Sequence, residues 1–239
     1  MEICIFYVII DYINDVSILH KEEGIDMEDR TVKIQSPTNN NIALKIIPGH
    51  FATNHSHINF YMDMTTIKTR QSEAREVAIE LKNKYMVSTP VDTIICMDGT
   101  EVIGAYLADE LSKAGNISYN AHQTIYIVTP EFNTNGQMIF RDNLVSEVNG
   151  KHCILLLASA TTGKTIRRSI ECIQYYGGII EGISAIFSAT SEVDGYTVDT
   201  VFREKDLPGY QTYLPQECPY CKKNIKLDAM VNGYGYSKL

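Results

Sequence analysis

The stretch from residue 152 to 187 constrains this chain more than any other. His152-Cys-Ile-Leu-Leu-Leu157 is a continuous apolar run. A strand with one wet face would alternate, so this one reads as buried on both faces. It passes through Ala158-Ser-Ala-Thr-Thr-Gly-Lys-Thr165 into a helical pattern with Ile166, Ile170 and Ile173 on one face. Gly177-Gly178 stops that helix, and residues 179–187 form a second apolar strand. Two buried strands joined by a helix are parallel neighbours in one sheet, so the chain is expected to be α/β.

The pattern repeats upstream. Residues 71–85 read as a helix, with Ala74, Val77, Ala78 and Leu81 at the i, i+3, i+4, i+7 spacing and Ser72 as its N-cap. The β-rich run Val91–Met97 follows, then Asp98-Gly99-Thr100-Glu101 and a second helix through about Leu111. Two further strand-like runs, 124–129 and 137–141, flank Asn135-Gly136, a hairpin signal. The expected organisation is an acidic leader (1–30), an α/β domain (31–210) and a C-terminal appendage (211–239).

The chain has 239 residues and a net charge of −8. Residues 1–30 carry eight acids and two bases, so the rest is close to neutral. Bulk charge therefore disfavours nucleic acid as a partner, and the composition excludes collagen-like and wholly disordered classes. The apolar run 3–10 is too short to span a bilayer and lacks a basic flank, so no membrane partner, a cytoplasmic location and reduced thiols are expected.

Of six cysteines, Cys4, Cys96, Cys153 and Cys172 sit in apolar runs and read as buried hydrophobes. Cys218-Pro-Tyr-Cys221 is a CxxC, which is either half of a zinc site or a plain tight turn. A second ligand pair would come from elsewhere. His50, His55 and His57 crowd one polar stretch, with Asp63 soon after, and are candidate metal or phosphate ligands or simply loop residues. Lys68 and Arg70 add two cations just before the first helix.

The chemistry concentrates at the turn after the buried strand. Thr161, Thr162, Gly163, Lys164 and Thr165 offer hydroxyls, consecutive backbone N–H groups, a flexible glycine, a cation and the positive end of a helix. Together these make an anion site, most naturally for phosphate. Residues 158–165 also match a loose P-loop with Ala in place of the first Gly. A P-loop NTPase is the lesser alternative, because the following strand ends in Phe-Ser-Ala rather than a metal-binding Asp.

Thr161-Thr162-Gly163 after a buried strand resembles the phosphate loop of type I phosphoribosyltransferases, particularly the orotate phosphoribosyltransferase branch. The likeness covers roughly residues 70–190. It implies a Rossmann-like core, a hairpin hood around Asn135-Gly136, and a 5′-phosphate of phosphoribosyl pyrophosphate or a nucleoside 5′-monophosphate on residues 161–165. It implies pyrophosphate and Mg2+ near Asp98, Gly99, Thr100 and Glu101, a nucleobase as second substrate, and a homodimer. The family also places two acids before the loop, at positions held here by Leu157 and Ala158. Neither side chain accepts a hydrogen bond. The alternative is therefore a non-catalytic nucleotide- or phosphoribosyl-binding module that kept the loop and lost the acids.

Overall fold

The computed structural model describes residues 26–113, 119–121 and 123–239. Most of the acidic leader, with Cys4 and the apolar run 3–10, lies outside the described residues. The chain forms two compact units. One comprises Ser36–Ile42 and Thr66–Arg203; the other gathers the segment up to Gln35 with Ala43–Thr65 and Glu204–Leu239.

The first of these is the expected α/β unit. Its elements are α1 (Gln71–Lys82), β1 (Thr93–Cys96), α2 (Glu101–Lys113), β2 (Tyr126–Val128), β3 (His152–Ala160), α3 (Lys164–Tyr175), β4 (Ile179–Ser188) and β5 (Tyr196–Arg203). The sheet runs β5-β4-β3-β1-β2, all parallel, with the short strand Glu192–Val193 antiparallel at its edge. The chain therefore leaves β1 for one side of the sheet and leaves β3 for the other. Right-handed crossovers in opposite directions place α2 and α3 on opposite faces, and the order reverses between β1 and β3.

Alternation along β3 serves both faces. Cys153, Leu155 and Leu157 belong to the core that α3 covers with Ile166, Ile170 and Ile173, while Ile154 and Leu156 are fully buried outside that cluster. Gly104 lets α2 lie close on the sheet, because a Cβ there would sit 2.4 Å from Cys96 Sγ. A hairpin does form about Asn135-Gly136, as Glu131–Phe132 against Met138–Ile139 with Gly136 at φ 72°, but the run 124–129 is not its first arm, because Tyr126–Val128 pairs parallel with β1 in the main sheet.

Local boundaries differ from expectation in informative ways. Ser72 lies inside α1 rather than capping it; the chain already turns at residues 66–70, so Arg70 is the cap and Ala74 N–H donates to its carbonyl. The helix ends at Lys82, and Tyr85 turns inward to share a 2.6 Å hydrogen bond with Ser184 Oγ on β4. β3 continues three residues past Leu157, to Ala160, which pairs with Ser188.

The expected boundary at residue 210 is corrected. Residues 211–239 are not an appendage to the α/β unit. Thr212–Tyr213 pairs antiparallel with the strand His57–Asp63, and Ala229–Asn232 pairs parallel with Ala43–Ala52 and antiparallel with Gly235–Lys238. The strands Ala43–Ala52 and His57–Asp63 are themselves antiparallel, with an irregularity between Pro48 and Phe51. A proline lacks the donor a regular ladder needs, so it falls where the register shifts. Backbone pairing between segments far apart in the sequence thus builds this second unit. Among the described residues, no helix is long and apolar enough to cross a membrane.

Candidate functional site

In an open parallel sheet, ligands bind beyond the carboxyl ends of the strands, where the strand order reverses. Here that point lies between β1 and β3. The two loops that leave it are residues 97–100, with Glu101 opening α2, and 161–163, so the fold brings together the two segments singled out in the sequence.

The loop after β3 is three residues long. Gly163 has φ 68°, a left-handed conformation that L side chains adopt with difficulty, and a Cβ there would lie 2.8 Å from Val193 Cγ2. Gly163 occupies the N-cap of α3 without a side chain to offer, and the helix's first turn holds Lys164 but no acid. Capping by threonine is therefore not why the threonines are here. Among the described residues, none of the hydroxyls of Thr161, Thr162 and Thr165 has a hydrogen-bond partner. The result is a helix N-terminus with its amide donors and partial positive charge facing outward beside three hydroxyls. Lys164 is exposed at the same end, while Arg167 is engaged with Asp194 at 3.0 Å.

The same geometry removes the P-loop reading. A P-loop must wrap a phosphate with the residues between its glycines, yet 158–160 are strand here, paired to β4 through Ala160. Three loop residues are too few for that wrap.

The loop after β1, residues 97–100, is strained at two positions. Asp98 and Gly99 are both left-handed, at φ 56° and φ 80°. Thr100 Oγ1 donates to the carbonyls of Met97 (2.9 Å) and Leu156 (3.2 Å), and Met97 N–H donates to the same Leu156 carbonyl at 2.8 Å. These bonds lash the loop to β3, so Asp-Gly-Thr-Glu is not the capping box its spacing suggests. Lys68 is buried, and its ammonium donates to the Asp98 carbonyl at 2.8 Å. The sequence flagged Lys68 only as a cation of no assigned place; the structure puts it at this loop. Arg70 instead pairs with Glu73 at 3.2 Å on the surface.

Burial pushes the Asp98 carboxyl above its ordinary range, and Glu101 adds to that push. Lys68 and a backbone N–H of Ala158 oppose it. Asp98 thus reaches the very residue where the resembled family has an acid. Glu101 turns to Thr129, whose hydroxyl donates to it at 3.1 Å. Leu157 and Ala158 are 0 % and 1 % exposed. Leu157 packs with Ile166 and Ile170, so the position serves the core, and a carboxylate there would be buried among aliphatic groups.

Among the described residues, one group of metal-ligating side chains converges, and it lies in the second unit. His50, His57, Cys218 and Cys221 have their ligand atoms all within 4.8 Å of one another. Asp98 and Glu101 are not part of such a group. His55, between the two histidines, is exposed and outside it. The spacing of His50 and His57 and of the CxxC was visible in the sequence; their meeting was not.

No protein-family model and no curated protein matches the chain. Among solved structures it is similar to the UMP synthase of Leishmania donovani, at 16 % identity over 75 % of this chain and 36 % of that one, with a TM-score of 0.51. An adenine phosphoribosyltransferase from Thermoanaerobacter pseudethanolicus aligns at 16 % identity over 74 % of this chain and 97 % of its own, with a TM-score of 0.45. An orotate phosphoribosyltransferase from Mycobacterium tuberculosis aligns at 12 % identity over 69 % and 93 %, with a TM-score of 0.48. The chain has a Rossmann-like fold of the type I phosphoribosyltransferase kind, as its loop motif led one to expect.

Proposed function

We propose that the α/β unit is a phosphoribosyltransferase that holds the 5′-phosphate of phosphoribosyl pyrophosphate on residues 161–165 and transfers the phosphoribosyl group to a nucleobase. The observation that carries this is the convergence of two strained loops at one switch point, one of them an acid-free helix N-terminus. In the reaction the bond from C1′ to pyrophosphate breaks and a bond from C1′ to the base nitrogen forms. Pyrophosphate leaves with its magnesium. The ion arrives with the substrate, whose own oxygens supply most of its ligands, so one carboxylate such as Asp98 suffices on the protein side. Residues 99 and 100 present the loop beside Lys68, whose positive charge favours pyrophosphate there. The orotate-like resemblance makes a pyrimidine the first base to try, and the protein acts in this reading as a cytosolic homodimer.

A second reading has its own observation. Leu157 and Ala158 replace the acids that would hold the ribose hydroxyls. Each lost charge-assisted hydrogen bond costs roughly 1.5–3 kcal/mol, so two weaken ribose binding by about two to four orders of magnitude. A binding module that keeps only the phosphate is the consequence if Asp98 does not compensate.

One experiment separates them. Thermal stabilisation is measured with magnesium phosphoribosyl pyrophosphate, with AMP and UMP, and with inorganic phosphate, alongside pyrophosphate release in the presence of orotate, uracil, adenine and hypoxanthine. The transferase reading expects stabilisation and base-dependent pyrophosphate release that Asp98→Asn lowers by at least about tenfold. Stabilisation with no release from any base supports the module. No stabilisation by any 5′-phosphate contradicts both.

A further inference from the structure

The two histidines and two cysteines of the second unit form a site that the proposed transfer reaction does not use. His50 lies on the strand Ala43–Ala52, and His57 opens its antiparallel partner across the tight turn 53–56. Cys218 precedes the short helix Pro219–Lys222, and Cys221 lies within it. His50 Nε2 is 3.1 Å from His57 Nδ1, 3.5 Å from Cys218 Sγ and 3.7 Å from Cys221 Sγ; Cys221 Sγ is 3.4 Å from His57 Nδ1.

These separations match four of the six edges of a coordination tetrahedron, and all four ligand atoms lie within 4.8 Å of one another. With Zn–N near 2.05 Å and Zn–S near 2.3 Å, tetrahedral geometry requires about 3.3 Å between two nitrogens and about 3.6 Å between nitrogen and sulfur. All four distances fall within about 0.2 Å of those values. The lone pair of His50 is also set correctly. His50 Nδ1 lies 2.9 Å from the Ile225 carbonyl, which only accepts, so Nδ1 carries the proton and Nε2 presents its lone pair to the other three groups. A metal-bound histidine is oriented in this way by its second nitrogen.

We propose that His50, His57, Cys218 and Cys221 bind one zinc ion, and that the ion is structural. Four protein ligands leave no open position for water or substrate, which is what a structural site requires. Two nitrogens and two thiolates in a tetrahedron select zinc over the hard cations, which take oxygen. The ion would join the hairpin of residues 43–63 to the C-terminal segment, whose strand Ala229–Asn232 makes only a short parallel pairing with the strand Ala43–Ala52. It thus secures a long-range closure at which the backbone ladder is slight.

The test is metal analysis of the purified full-length chain under reducing conditions. About one zinc per chain is expected in the wild type and in His55→Ala, and less than about one-tenth in His57→Ala and Cys221→Ser. Should those variants fold poorly, the wild type alone suffices. Stripping with a chelator should lower its melting temperature, zinc should restore it, and cobalt should give the visible absorption of a tetrahedral thiolate site. A wild type that holds no zinc, gains no stability from added zinc and shows no such cobalt spectrum would overturn the proposal. So would loss of the zinc from His55→Ala as complete as from His57→Ala.

Discussion

Gly163→Val is expected to weaken phosphoribosyl pyrophosphate binding by at least about 100-fold and to remove its stabilising effect. Two costs act at one atom. A β-branched residue at φ 68° is strained by roughly 1–3 kcal/mol, and its Cβ would meet Val193 Cγ2 at 2.8 Å, adding an overpacking cost of the same order. The loop relieves both only by moving, and movement takes the amides of 162–165 off the phosphate. Binding should therefore fall far more than stability, because α3 remains anchored through Ile166, Ile170 and Ile173. Calorimetric titration beside a denaturation curve reads the two separately. A variant that binds as the wild type does would show that the phosphate lies elsewhere.

Arg30→Met is expected to cost about 3–5 kcal/mol of stability, among the largest effects of any single change outside the core. Arg30 Nη2 donates to Asp228 Oδ1 at 2.6 Å, with side chains 6 % and 10 % exposed. Asp228 Oδ2 in turn accepts from His50 N–H at 2.8 Å. Removing the guanidinium leaves a buried carboxylate facing an aliphatic chain. The double variant Arg30→Met with Asp228→Leu should recover part of the loss, since no charge is then stranded. Urea denaturation of the wild type and the two variants is the check, and a loss below about 1 kcal/mol for Arg30→Met would mean the pair is effectively solvated.

The α/β unit was legible because its signals are local. Ile166, Ile170 and Ile173 define α3 by spacing, and the uniform run 152–157 declares burial on both faces. The second unit was not, for a physical reason. Pro48-Gly-His interrupts the strand Ala43–Ala52 with an irregularity, and the three histidines make the turn look like a polar loop. The strand shows itself only through partners at residues 32–35, 57–63 and 229–230, the last far away in sequence. The candidate zinc site divides in the same way, with half of it at each end of the chain. Lys68 is a similar case. Nothing adjacent to it announces that its ammonium will meet the carbonyl of Asp98. The missing acids, by contrast, were plain in the sequence, and the structure explains Leu157 as a member of the core rather than a lost ligand alone.

The central claim is that residues 161–165 hold a phosphorylated ribose. It is tested most directly by amide chemical shifts during titration with ribose 5-phosphate and with magnesium phosphoribosyl pyrophosphate. The account predicts that the amides of 162–165 move first and furthest with both ligands, with those of 98–101 moving only when pyrophosphate is present. Binding that leaves the amides of 162–165 unmoved would contradict it.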